Sequence, residues 1–443
     1  CSLAMPTKNQ FQLLTQRRYL PYFSLQFLGA LNDNVFKTSL LMLIAITLAP
    51  TDPNKANLLN NLGAAAFIFP FFLFSATAGQ LADKYEKKKL VQIIKFGEIL
   101  IAMLIALGFY LESFPFLLFV LFLLGVQAAF FAPVKYSILP QYLEQSELTG
   151  GNGLVEMGTF VAILLGTIIG GLIISIEEWG SIAIPVVVFL IALFGWLFSL
   201  MIPNAKVKAQ DPQLKINWEP ISQTWRTLKE AATDRTLFWT MIGISWFWFY
   251  GSMLITQIPN YTRIFLGADA KVMTLMLTVA SLGIGLGSVL CEPLSKRKEE
   301  IGLVPLGALG LTLFAADLSF AHGPAPSTII GVHAFLQQWQ NWRVLLDLFL
   351  IGLFGGFYSV PLYVMLQTRS MPEKRSQIIA ANSILNALFM TAASFLAIGV
   401  LKLGLSIPKL FLLVALLNGA MTFCIYKQVP EFLIRFRLWI RGE

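Results

Sequence analysis

The sequence predicts an all-α membrane protein with twelve transmembrane helices in two six-helix bundles. Of 443 residues, 56% are hydrophobic and only 13% are charged, about half the charged share of an ordinary soluble domain. Mean hydropathy is +0.71. A membrane-crossing helix needs about 20 predominantly apolar residues, and the chain breaks into apolar runs of that length separated by charge, proline and glycine. Basic residues gather in every second connection between those runs.

The runs cover 20–49, 57–82, 90–110, 114–133, 151–176 and 181–202, then resume near 236, 270, 301, 343, 379 and 407. The chain thus divides into a tail (1–19), a first bundle (20–202), a polar linker (203–235), a second bundle (236–427) and an amphipathic tail (428–443). The linker carries Lys206, Lys208, Lys215, Arg226, Lys229 and Arg235. With the N-terminus in the cytoplasm, most of the 32 Lys and Arg fall in the tails, the linker and the loops after even-numbered spans. The positive-inside rule then puts both ends in the cytoplasm. The net charge of +8 is explained by membrane topology and calls for no nucleic-acid partner. Cys1, Cys291 and Cys424 form no disulfide framework, and the last two read as packing residues. Cys1-Ser-Leu-Ala4 lacks a basic n-region and an apolar h-region, so it reads as a non-native remnant rather than a signal peptide; a lipidated Cys1 is the alternative.

The two halves repeat. In the fourth and tenth spans Gly125 meets Gly352, Phe130 meets Phe357, Phe131 meets Tyr358, Tyr136 meets Tyr363 and Leu139 meets Leu366. In the fifth and eleventh, Asn152 meets Asn382 and Glu156 meets Asn386. Duplication of a six-helix unit predicts such matches in corresponding spans.

Polar groups inside the apolar runs are the candidate functional residues, because a charge near mid-bilayer costs about 2.5–3.5 kcal/mol and so faces a bundle interior or a wet cavity. The first span carries Gln26, Asn32, Asp33, Asn34 and Lys37, with Gln26, Asp33 and Lys37 on one helical face. Asp33 and Lys37 either neutralise each other within the helix or serve a ligand. Lys95 and Glu98 in the third span are spaced to pair. Asp317 and Asp347 read as interfacial, and Glu292 as lying beside a loop. The segment Gln127-Ala-Ala-Phe-Phe-Ala-Pro133-Val-Lys135-Tyr136 joins an amide, a helix break and a cation, and Lys135 either meets a phosphate or snorkels to the interface. The fifth span opens with Asn152 and Glu156 one turn apart, followed by Gly158, Gly166 and Gly170, whose small size lets helices approach.

Gly79-Gln-Leu-Ala-Asp83-Lys84-Tyr-Glu-Lys87-Lys88 joins the second and third spans. Gly79 permits close approach, Asp83 can cap a helix, and the lysines hold the loop at anionic headgroups. His322 to Trp342 reads as an amphipathic stretch with aromatic anchors. The two histidines lack metal-ligand spacing, and no acyltransferase His-x4-Asp pattern, nucleophile elbow or phosphate loop is present. No cofactor, metal or enzyme active site is therefore expected.

The 79–88 loop and the two-bundle layout resemble the major facilitator superfamily. Gln26-Phe-Leu-Gly-Ala-Leu-Asn-Asp33-Asn34, Gly79-Gln-Leu-Ala-Asp83, Ala132-Pro133-Val-Lys135-Tyr136-Ser-Ile-Leu and Gly151-Asn152-Gly-Leu-Val-Glu156 together resemble its bacterial lysophospholipid transporter family. The likeness returns, more weakly, at Gly355-Gly356-Phe357-Tyr-Ser-Val-Pro361 and Ala381-Asn382-Ser. It implies a flippase that moves lysophosphatidylethanolamine and lysophosphatidylglycerol from the outer to the inner leaflet of the inner membrane for reacylation. It also implies membrane lipids as surroundings and an acyltransferase/acyl-carrier-protein synthetase as partner or fused domain. The roles that follow are Lys135 toward phosphate, Asp33 and Glu156 toward an ammonium, and Asn34, Gln127, Asn152 and Asn382 toward hydroxyls. Gln26, Lys37, Lys95, Glu98, Tyr136 and Asn386 are secondary candidates, and Gly79, Asp83, Lys84, Lys87 and Lys88 form a gating loop. A proton-coupled permease or exporter of a soluble small molecule, with Asp33 or Glu156 as proton carrier, is the alternative.

Overall fold

Helices are the only open-ended way to carry a backbone through lipid, because each satisfies its own N–H and C=O groups. The computed structural model describes residues 9–48, 50–205 and 210–442; Cys1, Lys206, Lys208 and Glu443 lie outside them. The helices in chain order are α1 (Leu20–Leu48), α2 (Pro53–Lys84), α3 (Lys87–Tyr110), α4 (Phe114–Ser137), α5 (Leu148–Ile174), α6 (Gly180–Leu200) and the linker helix α7 (Pro220–Ala231). Then come α8 (Arg235–Ile255), α9 (Ala270–Leu294), α10 (Leu303–Leu318), α11 (Trp339–Arg369), α12 (Arg375–Lys402), α13 (Ile407–Gln428) and α14 (Glu431–Arg441).

Local chemistry starts several of them. The side chain of Asp52 accepts from Lys55 N at 3.0 Å ahead of Pro53, Asp234 caps α8 through Leu237 N at 3.1 Å, and Asp269 caps α9 through the N–H groups of Lys271 and Val272. Each cap satisfies donors that the first helical turn leaves unpaired. Among the described residues, 11 helices are long and apolar enough to cross a membrane, and Leu303–Leu318 is a shorter apolar one. Its 16 residues rise about 24 Å. Together they form the all-helical fold that the sequence predicts.

The chain forms two compact units. Unit 1 comprises 1–144, 161–230 and 370–384, and unit 2 comprises 145–160, 231–369 and 385–443. The opening turns of α5 thus belong to unit 2 and those of α12 to unit 1. In unit 1, α2 lies along α4, α6 contacts both α1 and α3, and α3 contacts α4, around a core that includes Val35, Phe36, Ile99, Leu121, Val188 and Ala192. In unit 2, α11 is central, touching α8, α9 and α10, while α13 packs on α8 and α10.

Lipid tails are as apolar as leucine, so these contacts depend on closeness rather than on escape from water. A Cβ at Gly125 would lie 2.4 Å from Phe67 O, and one at Gly352 would lie 2.3 Å from Ala280 O. The matched glycines of the two halves therefore do the same work, one on α2–α4 and the other on α9–α11. The second contact is the denser. A Cβ at Gly283 would lie 2.1 Å from Phe349 O, at Gly287 2.0 Å from Leu353 O, and at Gly356 2.4 Å from Ser288 N, so two i, i+4 glycine pairs face one another backbone to backbone. In unit 1, Gly166 and Gly170 bring α5 similarly close to Leu31 O and Val35 O of α1, and Ser39 Oγ donates to Gly170 O at 3.2 Å.

Polar staples reinforce unit 2. Trp246 Nε1 donates to Asn418 Oδ1 at 2.8 Å, while the Asn418 amide donates to Ala308 O and Thr312 Oγ1 at 3.1 and 2.9 Å, tying α8, α13 and α10 together. Cys291 is buried beside the glycine seam, but Cys424 is exposed, on a helix face turned away from the bundle, so only the first of the two expected packing cysteines is one.

Gly287→Ala is expected to push α9 and α11 apart and cost about 1–3 kcal/mol. Gly97→Ala has no atom within 4 Å of the new Cβ and is expected to be neutral or to stabilise by up to about 1 kcal/mol. Thermal unfolding of the two variants in detergent compares them directly.

Candidate functional site

Glu98 organises the polar interior of unit 1. Its carboxylate receives Lys95 Nζ at 2.7 Å, one turn earlier on α3, and both side chains are 1% exposed. Two further donors arrive from other helices: Asn32 Nδ2 of α1 reaches Oε1 at 2.9 Å, and Gln127 Nε2 of α4 reaches Oε2 at 3.1 Å. The pair expected within α3 is therefore the centre of a three-helix network. A carboxylate in low dielectric needs this many donors. Lys95 also lies 4.9 Å from the centroid of the Phe131 ring, and a Cβ at residue 29 would stand 2.5 Å from Lys95 Nζ. Gly29, which no sequence signal singled out, clears the space for that ammonium.

Asp33 lies next to this network without completing it. Its Oδ1 is buried with no hydrogen-bond partner among the described residues, as is Oδ1 of Asn32. Asp33 and Lys37 form no ion pair; Lys37 Nζ instead lies over the Phe67 ring, 5.3 Å from its centroid. The charged groups acting on Asp33 are Glu98, Lys95, Lys37 and Lys135. Two acceptor oxygens beside the Glu98 network thus remain unsatisfied.

The remaining candidates separate. Gln26 is buried. The Asn34 amide donates to Ala30 O of its own helix at 2.8 Å, and its Cβ faces Gly166, so it is a packing residue on the α1–α5 contact. Lys135 is half-buried with its ammonium 5.1 Å from the Tyr136 ring centroid, and Tyr22 Oη donates to the Lys135 carbonyl at 2.6 Å. In unit 2, Asn152 and Gln367 exchange amide hydrogen bonds of 2.7 and 3.0 Å with both side chains buried, and Glu156 is buried one turn further on. Ser245 Oγ donates to Asn386 Oδ1 at 2.8 Å, while Asn382, in unit 1, is buried. Asp347 is 2% exposed, two turns into α11, which begins at Trp339 rather than near 343. Asp317 is closer to the surface and pairs with Arg343 at 2.5 and 2.8 Å.

The 79–88 loop is also built into unit 1. Asp83 Oδ1 accepts from Ser376 N at 2.9 Å and Oδ2 from Gln377 N at 3.0 Å, so the carboxylate satisfies two donors at the start of α12 and meets its positive dipole end. A Cβ at Gly79 would lie 2.6 Å from Ala380 Cβ and 2.9 Å from Gln377 Cα. Lys87 Nζ donates to Ala82 O and Lys88 Nζ to Asn204 Oδ1, both at 2.9 Å, while Lys84 lies by the Tyr85 ring.

The family model of the Major Facilitator Superfamily matches residues 22–397. Among curated proteins, the chain is 26% identical over 386 residues to the lysophospholipid transporter LplT of Serratia proteamaculans (strain 568), covering 86% of each chain. It is 27% identical over 362 residues to LplT of Yersinia pestis (strain Pestoides F), covering 80% of each. Among solved structures, the human organic anion transporter MFSD10 superposes with a TM-score of 0.74 at 14% identity, covering 92% of this chain and 99% of that one. The E. coli fucose:proton symporter FucP gives 0.66 at 16% identity, covering 92% and 98%. Identities this low speak to fold alone.

Removing one partner of the Lys95–Glu98 pair leaves a buried charge unbalanced, so Lys95→Met or Glu98→Leu alone is expected to cost about 3–5 kcal/mol. The double variant Lys95→Met, Glu98→Gln is expected to recover part of that loss, since its amide still meets Asn32 and Gln127. Unfolding midpoints of the three proteins in one detergent test this.

Proposed function

We propose that this chain, which belongs to the Major Facilitator Superfamily, carries lysophosphatidylethanolamine and lysophosphatidylglycerol from the outer to the inner leaflet of a bacterial inner membrane, where they are reacylated. The chain is a multi-pass transporter and not an enzyme. Support for the substrate comes from curated relatives named as lysophospholipid transporters and from the chemistry around Asp33. The observation that carries the reading is the pair of unpartnered buried oxygens, Asp33 Oδ1 and Asn32 Oδ1, on which the charges of Lys95, Lys37 and Lys135 act.

A one-chain phospholipid offers a phosphate, an ammonium or glycerol hydroxyls, and one acyl chain. In this reading Lys135 and Lys37 attract the phosphate, and Asp33 and Asn32 accept from the ammonium or hydroxyls. Gln127, held on Glu98, positions the network without contacting the lipid. The Phe67 and Phe131 rings beside Lys37 and Lys95 suit the acyl chain. The distribution of Lys and Arg supports a topology with both termini in the cytoplasm, where an acyltransferase/acyl-carrier-protein synthetase, as partner or fused domain, consumes the delivered lipid in this reading.

The loop around Asp83 is assigned as the gate. Its carboxylate holds the start of α12 through two backbone N–H groups, a contact that has to be surrendered for that helix end to move. Neutralising it by Asp83→Asn weakens a charge-assisted cap worth about 1–2 kcal/mol while preserving shape.

The deciding experiment follows labelled lysophosphatidylethanolamine between leaflets of liposomes containing the purified chain, with diacyl phosphatidylethanolamine as control and with or without a proton gradient. Selective movement of the lysolipid is expected. Asp33→Asn and Lys135→Gln are each expected to slow it at least about tenfold, the loss of one interaction of about 1.4 kcal/mol. Movement no faster than in protein-free liposomes would instead favour the permease of a soluble solute, and a gradient requirement would point the same way.

A further inference from the structure

The linker helix α7 is amphipathic in an inverted sense. The residues it turns toward unit 1 are polar: Gln223 and Thr227 are 4% and 7% exposed. The residues it turns outward are large and apolar: Ile221 and Trp225 are 78% and 70% exposed, and Trp218, just ahead of the helix, is 71% exposed. Ile221 and Trp225 lie about one turn apart on one face of α7, and Trp218 precedes the helix. Arg226 and Lys229 flank this apolar stripe, and both are exposed. In a water-facing segment this arrangement would leave three bulky side chains wet for no structural return.

Polar contacts fix the place of the segment. Asp211 N donates to Asp83 O at 2.9 Å, and Gln80 and Asn217 exchange hydrogen bonds of 2.7 and 2.9 Å, which pins the linker to the last turns of α2. Gln223 Nε2 donates to Gln377 Oε1 at 2.9 Å, and Lys374 pairs with Glu230, which pins α7 to the start of α12. Both anchor points are ends of helices long and apolar enough to cross a membrane, so α7 is held beside the ends of two spans. Tryptophan suits that place, having an apolar body and one N–H for the wet side.

We infer that α7 is an interfacial membrane anchor, with Trp218, Ile221 and Trp225 inserted among the lipids and Arg226 and Lys229 set on anionic headgroups. The occupant of the exposed face is the bilayer surface, chosen over a protein partner because the stripe sits at span-end level and is bordered by cations. Each cation near an anionic surface is worth about 1 kcal/mol, and the association weakens as salt screens it. The inference does not depend on which lipid is transported.

The test uses the full chain in which Cys1 and Cys424 are replaced by serine, carrying one nitroxide label at a time through Ile221→Cys or Trp225→Cys. Leu190→Cys on the exposed face of α6 serves as the lipid reference and Gln213→Cys in the linker as the water reference. In bilayers of phosphatidylcholine with phosphatidylglycerol, labels at 221 and 225 are expected to collide with oxygen more than with a water-soluble nickel chelate, as at 190 and unlike 213. Arg226→Gln with Lys229→Gln is expected to give a several-fold fall in the oxygen-to-nickel ratio at 225 in those bilayers, with little change in phosphatidylcholine alone. Nickel accessibility at 221 and 225 equal to that at 213 would overturn the anchor. A ratio indifferent to both phosphatidylglycerol and the charge substitutions would overturn the assignment of Arg226 and Lys229 to anionic headgroups. Retained thermal stability of each labelled chain separates a changed depth from a misfolded protein.

Discussion

Helices surrounded by lipid gain almost nothing by placing leucine against leucine, so whatever holds them together has to act at shorter range than the hydrophobic effect. Here it acts at the backbone. Gly283, Gly287, Gly352 and Gly356 bring α9 and α11 into contact without side chains between them, and Gly125, Gly166 and Gly170 do the same in unit 1. Asn32, Glu98 and Gln127 reach one another from three helices only because the axes run near enough for short side chains to bridge.

The second constraint is charge in a medium that solvates it poorly. Glu98 is quenched by a lysine and two amides, whereas Asp33, four residues after Gly29 on α1, keeps a bare oxygen. The difference divides the polar interior into a part that serves stability and a part with capacity to spare for a ligand. Asn34 and Asn152 fall on the structural side for the same reason, since a helix carbonyl and the Gln367 amide already employ them.

The fold was legible because bilayer thickness is written into the length of each apolar run and topology into the position of lysine and arginine. What escaped was the start of α11, where polar Gln340 and Asn341 mask four residues of helix, and with it the burial of Asp347. Site residues were legible where a charge interrupts an apolar run, which is why Asp33, Lys95, Glu98 and Lys135 stood out. Their partners were not. Spacing along one helix can propose Lys95 for Glu98, but Asn32 and Gln127 come from elsewhere in the fold, and the Asp33–Lys37 spacing suggested a pair that does not form. Asn418 and Gly29 carry no charge and raise no alarm in a hydrophobic segment, although one ties three helices and the other admits an ammonium.

The glycine seam between α9 and α11 has a mechanical meaning. Interfaces lined by long side chains can creep, because rotamers offer intermediate spacings as two helices slide. A seam of backbone on backbone has no such gradation: displaced by a fraction of a turn, the carbonyls of Phe349 and Leu353 would strike residues that do carry a Cβ. The two helices therefore tilt and bend as a single double-thickness beam, stiffer than either alone. Compliance in unit 2 is left to places where regular helix already gives way, such as the π-turn at Tyr261–Phe265 beyond α8.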